Sequence, residues 1–167
     1  LFRSHVQSLY RNPEMILEKM NQIFVDELNS KIFATAFLYT LDIIKREITY
    51  VNAGHSPLIY YSTQKKWVVE VDHINLPLGI TKDDINYKTN KISLEKGDIV
   101  ILFSDGITEA MNQDREELGT GRLYKIIKEN AHLPGEIIKQ KVMEEVHFFT
   151  QKNPLQDDMA FVLTKIK

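Results

Sequence analysis

The sequence predicts an α+β fold, an antiparallel sheet system with its helices segregated to one side. Three observations predict it. A helical period over Pro13–Leu28 gives way at Ile32 to a period of two. The alternating segments that follow are joined by polar turns such as Asp42–Arg46 and Thr63–Lys66. These are far shorter than the dozen or so residues a parallel crossover needs, which implies antiparallel pairing. Two further helix-period stretches then precede a last apolar strand.

Taken in order, residues 1–10 read as the end of a helix, with Phe2, Val6 and Leu9 on one side. Asn12 is a good N-cap, and Pro13 fits the first helical position, where its missing N–H costs nothing. Ile16, Met20, Ile23, Phe24 and Leu28 then form one apolar stripe that ends at Asn29-Ser30. Phe33–Leu41 reads as a strand buried on most of both faces, and Glu47–Val51 runs back beside it. Pro57–Tyr61 and Trp67–Val71 are the next two strands. Leu76–Ile80 is a loop with apolar punctuation, Tyr87–Leu94 an alternating strand, Glu95–Asp98 a turn, and Ile99–Phe103 a fully buried strand.

Ser104-Asp105-Gly106 breaks that pattern sharply. Helices follow near Arg122–Glu129 and Pro134–Phe149, the second with Ile137, Ile138, Val142, Val146 and Phe149 on one stripe. Met159–Thr164 closes the chain as a strand. In blocks, 1–30 is helical, 31–113 mostly strands, 114–150 helical and 157–166 the closing strand. No repeat, linker or low-complexity segment divides it, so 1–167 is expected to be a single domain.

Composition narrows the function. Among 167 residues, Lys+Arg 21 against Asp+Glu 23 gives a net charge of −2, without the basic excess of a nucleic-acid-binding domain. No apolar run approaches the roughly 18–20 residues of a membrane span, so no membrane contact is expected from this domain. There is no cysteine, which excludes disulfides, zinc–thiolate sites and thiol nucleophiles and is compatible with the cytoplasm, the expected location. The chain begins Leu1-Phe2-Arg3, with no initiator Met and no signal-peptide pattern, as a processed protein or a piece of a larger one would.

Two places put carboxylates at the mouth of an apolar strand. Asp105 follows Ile99–Phe103 directly, with Gly106 freeing the backbone after it, and Asp157-Asp158 stands just before the closing strand. If the two strands are neighbours, Asp105 and Asp157 could converge on one ion. Carboxylate and water ligands without thiolate favour Mg²⁺ or Mn²⁺. Ordinary turn chemistry explains each acid separately just as well. Asn52-Ala53-Gly54-His55-Ser56-Pro57 places a His beside a Ser, but adjacent residues rarely have nucleophile–base geometry. The structural reading is preferred there: Gly54 turns the chain and His55 ties the loop down.

Six segments in order carry a resemblance: IFATAFLYTLD (Ile32–Asp42), YVNAGHSPL (Tyr50–Leu58), LPLGI (Leu76–Ile80), LEKGDIVILFSDGITEA (Leu94–Ala110), LGTGRL (Leu118–Leu123) and DDMAFVL (Asp157–Leu163). Together they resemble the bacterial serine/threonine phosphatases of the PP2C (PPM) superfamily, in the SpoIIE/RsbU-like branch. The resemblance implies a β-sandwich flanked by helices. It also implies hydrolysis of phosphoserine or phosphothreonine on a protein, typically an anti-anti-sigma-type regulator. The family uses a binuclear Mn²⁺/Mg²⁺ centre to activate water, without a phosphoenzyme.

Asp105 matches the metal-binding Asp of the family's S-D-G motif, with Ser104 and Gly106 as loop support. Asp157 matches the metal-binding Asp of the closing motif, and Asp158 an accessory position. Gly54 and His55 fall in a structural loop. The family's upstream G-D-x-x-D and G-H-G motifs match nothing in Leu1–Ser30. The resemblance therefore implies a domain lacking its N-terminal strands and first helix start, with an incomplete metal site, weak activity alone, and open sheet edges that invite self-association. A pseudophosphatase that keeps the fold as a protein-interaction module is the alternative.

Overall fold

The computed structural model describes residues 12–27, 32–71, 74–81, 83, 85–151, 153 and 157–167. The reading of residues 1–10 as a helix end lies outside them. The chain divides into two compact units interleaved in sequence, Leu1–Pro57 with Asp72–Leu94, and Leu58–Val71 with Glu95–Lys167. Each carries a sheet and at least one helix, and the α+β class stands.

In the first unit, helix α1 (Pro13–Glu27) starts where Asn12 and Pro13 predict. Its buried face is Pro13, Ile16, Leu17, Asn21 and Val25, rotated from the predicted stripe. Met20 and Phe24 only flank the core of Leu17, Val51, Ala53, Leu78 and Tyr87. The rotation has a polar cause: Asn21 Oδ1 accepts the Gly79 N–H at 2.7 Å, which draws an amide inward at a position the apolar pattern passes over.

Strands β1 (Ala36–Asp42) and β2 (Glu47–Ala53) form an antiparallel hairpin in register from Ala36↔Ala53 to Asp42↔Glu47. At its turn Asp42 Oδ1 accepts the N–H groups of Ile44 (3.0 Å) and Lys45 (2.9 Å). The Lys45 N–H bond, helped by the nearby ammonium, holds the Asp42 carboxyl below its usual range. All seven residues of β1 are half-buried, against the expectation of burial on both faces, because β1 is the edge of its sheet. The strand starts at Ala36 instead of Phe33, since Ala34 exchanges backbone bonds with Leu78 at 3.0 and 2.9 Å.

The far side of β2 pairs antiparallel with β6 (Asn90–Ser93) and, over Asn52–Ala53, parallel with the two-residue β5 (Ile74–Asn75). That parallel pair corrects the purely antiparallel expectation. The strand expected over Tyr87–Leu94 shortens to β6 for a physical reason. The Lys88 N–H donates to Asn75 Oδ1 at 3.0 Å, and Asn75 Nδ2 donates to the Lys88 carbonyl at 3.5 Å, so a side chain occupies groups a ladder would use.

The second unit holds strands β3 (Leu58–Ser62), β4 (Trp67–Val71), β7 (Ile99–Phe103) and β8 (Phe161–Lys165), antiparallel in the order β4-β3-β7-β8. Despite their short connection, β2 and β3 belong to different sheets. The closing strand starts at Phe161, not Met159. Helices α2 (Asp105–Thr108), α3 (Gly119–Asn130) and α4 (Gly135–Thr150) complete the unit. The core joins Ile99, Ile101 and Phe103 to Leu123, Ile127 and the α4 stripe Ile138, Val142, Val146 and Phe149. Ile137, predicted on that stripe, is exposed.

Asp98 closes the turn before β7 while fully buried. It accepts the Tyr60 hydroxyl at 2.6 Å and the N–H groups of Thr63 and Glu95, each at 2.8 Å. Desolvation, reinforced by that bond to Asp98, pushes the Tyr60 phenol up to about 12. Among the described residues no helix is long and apolar enough to cross a membrane.

Candidate functional site

The site is built on the pair formed by the inner strand β7 and the edge strand β8 of the second unit. β7 and β8 are antiparallel neighbours with Phe103 opposite Phe161, so the end of one strand and the start of the other lie at the same end of the sheet. Asp105 is the first residue of α2, two positions past β7, and Asp157-Asp158 precede β8. All three carboxylate residues are exposed.

The two acidic segments are held together by the residues beside them. The Ser104 N–H donates to the Ala160 carbonyl at 2.9 Å, continuing the β7–β8 ladder past the last strand residue. The Ser104 hydroxyl donates to the Asp158 carbonyl at 3.0 Å and accepts the Ala160 N–H at 2.8 Å. Gly106 is buried, and a Cβ there would stand 2.6 Å from the Asp158 carbonyl oxygen and 3.3 Å from that of Asp157. Glycine is therefore demanded by close approach, since its φ is not in the left-handed region.

Helix α2 is closed by the Glu109 N–H donating to the Asp105 carbonyl at 2.8 Å and is anchored by fully buried Ile107. The Asp158 N–H donates to Asp157 Oδ1 at 2.8 Å, which orients that carboxylate from its own backbone. Chemically this is a set of oxygen donors on two segments in backbone contact. Among the described residues, no group of three His, Cys, Asp or Glu side chains gathers where it could hold a metal.

Gly54 and His55 belong to the other unit. Gly54 has φ +72°, and a Cβ there would meet Pro77 Cγ at 2.5 Å. His55 is tied chiefly through its backbone: its N–H donates to Asn52 Oδ1 at 2.7 Å, and Asn52 Nδ2 donates to its carbonyl at 2.8 Å. The imidazole Nδ1 stands 3.3 Å from Thr35 Oγ1. Sequence reasoning missed that Asn52, fully buried, does the tying, and that Asp98 anchors the turn leading into β7. The available signal was a polar residue inside or beside an apolar strand, which must find partners when buried.

An α+β domain with this sheet order, bearing acids at the mouths of two neighbouring strands, has the architecture of the PP2C-type phosphatase domains. The SiaA-PP2C domain of Pseudomonas aeruginosa matches with a TM-score of 0.85 at 18% identity, over 99% of this chain and 66% of that one. The phosphatase domain of the cell fate determinant SpoIIE from Bacillus subtilis (Mn presoaked) matches with a TM-score of 0.63 at 21% identity, over 97% of this chain and 73% of that one. In sequence, the family model Stage II sporulation protein E (SpoIIE) matches residues 1–167, and the chain belongs to that family. The phosphoserine phosphatase RsbU of Bacillus subtilis (strain 168) is 29% identical over 156 residues, 93% of this chain and 46% of RsbU. The chain thus spans about half the length of that relative.

Proposed function

We propose that residues 1–167 are one part of a metal-dependent protein serine/threonine phosphatase domain, with Asp105 and Asp157 as carboxylate ligands and Asp158 as an accessory group. The observation that carries this reading is the contact of the Asp105 turn with the Asp157–Asp158 segment through Ser104 and Gly106. The oxygen-only donor set suits Mg²⁺ or Mn²⁺, and Mg²⁺ in particular is commonly held by one or two carboxylates with several waters retained. A bound ion of this kind supplies Lewis acidity, making a coordinated water more acidic and offsetting the charge of a phosphoryl group. The chain's own part is to hold the acids in place: the Asp158 N–H orients Asp157, and α2 presents Asp105 at the end of a buried strand.

The substrate is a phosphorylated serine or threonine on a regulatory protein in bacterial signalling, of the anti-anti-sigma type. Membership of the SpoIIE family and likeness to a phosphoserine phosphatase support this class. Because two acidic segments make only a partial ligand set, turnover by the 167-residue chain alone is expected to be weak. The test is hydrolysis of p-nitrophenyl phosphate with and without Mn²⁺, alongside calorimetric Mn²⁺ titration, for the chain, Asp105→Asn and Asp157→Asn. Weak Mn²⁺-dependent turnover that falls to background in both variants, with weakened Mn²⁺ binding, is expected. Activity and Mn²⁺ binding that ignore both substitutions would overturn the assignment.

A further inference from the structure

We infer that Ser104 is a positioning residue, the clasp that fixes the Asp157–Asp158 segment against the Asp105 turn and thereby sets the affinity of the site for a divalent cation. The inference rests on the metal-site reading above and adds to it a residue that need touch neither ion nor substrate. A serine that merely caps a helix bonds to the N–H groups of that helix. Ser104 precedes α2, yet its hydroxyl makes no capping bond there. It reaches across to the other strand, donating to the Asp158 carbonyl and accepting from the Ala160 N–H.

Those two bonds, with the backbone bond from the Ser104 N–H to the Ala160 carbonyl, fasten both sides of a segment that has no regular structure of its own. The backbone ladder alone fixes Ala160 and says nothing about residues 157–158. The hydroxyl extends the constraint two residues further, to the carbonyl of Asp158, the residue next to Asp157. Gly106 presses on the same Asp158 carbonyl from the side of α2. One oxygen is thus held by a donor and a close backbone contact, and both come from the Asp105 turn.

Metal ligands whose supporting hydrogen bonds are removed typically lose about 10–100-fold in affinity, which sets the expected effect. Alanine removes both bonds at Ser104. Threonine retains the hydroxyl at this half-buried position and serves as the test of rescue. The experiment compares the chain with Ser104→Ala and Ser104→Thr by two readouts, Mn²⁺ affinity from calorimetric titration and amide hydrogen exchange at Ala160. Circular dichroism and the melting temperature without metal establish that each variant is folded.

The expected result is a folded Ser104→Ala protein whose Mn²⁺ affinity falls by about tenfold or more. Its Ala160 amide exchanges faster, and threonine restores both properties. Unchanged Mn²⁺ affinity in Ser104→Ala, or faster exchange and weaker binding that threonine fails to restore, overturns the inference. If the unsubstituted chain itself binds no Mn²⁺, the metal-site reading falls and the affinity claim falls with it. The exchange data then decide the clasp alone, and equal Ala160 exchange in the chain and Ser104→Ala removes that as well.

Discussion

At the scale of single residues, two buried oxygens pull stability in opposite directions. Asp98 is fully buried and satisfied by three donors, two of them backbone N–H groups. Asp98→Ala strands those donors and should cost on the order of 3 kcal/mol, read from urea unfolding. Tyr87 is 1% exposed, and its hydroxyl has no hydrogen-bond partner among the described residues. Tyr87→Phe keeps the ring and removes an oxygen that gains nothing from burial. It should leave stability unchanged or raise it by about 1 kcal/mol in the same measurement. A loss above about 1 kcal/mol in Tyr87→Phe would show that the hydroxyl is satisfied in solution.

At the scale of elements, the decisive contact is between a one-turn helix and an irregular segment. Gly106→Ala places a methyl 2.6 Å from the Asp158 carbonyl oxygen, so that segment must move or α2 must deform. The expected outcome is a loss of about 1–3 kcal/mol together with weakened Mn²⁺ binding, whereas Gly121→Ala, with open space around it, should be silent on binding. This contact was not legible in the sequence. Gly106 reads there as a breaker, and only the approach of a segment some fifty residues away explains a glycine inside α2.

By contrast, Trp67–Val71 and Ile99–Phe103 were legible to the residue, because polar turns bound them and their side chains decide the period. Where a neighbour's side chain supplies the hydrogen bonds, the pattern misleads. Asn75 takes the backbone of Lys88 and ends a strand that alternation alone would extend, and Asn21 turns the buried face of α1 away from its apolar stripe. The adjacency of the Asp105 and Asp157–158 segments was conditional on β7 pairing with β8, and the pairing is there. The clasp between them, made by Ser104 and backbone, leaves no trace in residue spacing.

For the whole molecule, tyrosines govern behaviour at high pH. Burial pushes Tyr87 up to about 12, as desolvation and the Asp98 bond do for Tyr60. A phenol with a raised pKa stays protonated in the folded chain after the unfolded chain has begun to lose its proton near pH ~10. Its contribution is complete below that pH and is lost as pH climbs toward about 12. The melting temperature should therefore fall across this window, with tyrosinate absorbance rising together with unfolding. A melting temperature flat over the same range would contradict the burial of these hydroxyls. The interleaving of the two units bears on how the chain is made. Neither is a continuous stretch, since the first is complete only at Leu94 and the second draws on Leu58–Val71 and on everything after Glu95. During synthesis β7 emerges some sixty residues before β8, its partner on one side, so one flank of the most apolar strand waits until Phe161–Lys165 is translated. The acids proposed to hold the cation meet in that same step, which makes the closing of this sheet and the meeting of the two acidic segments a single event.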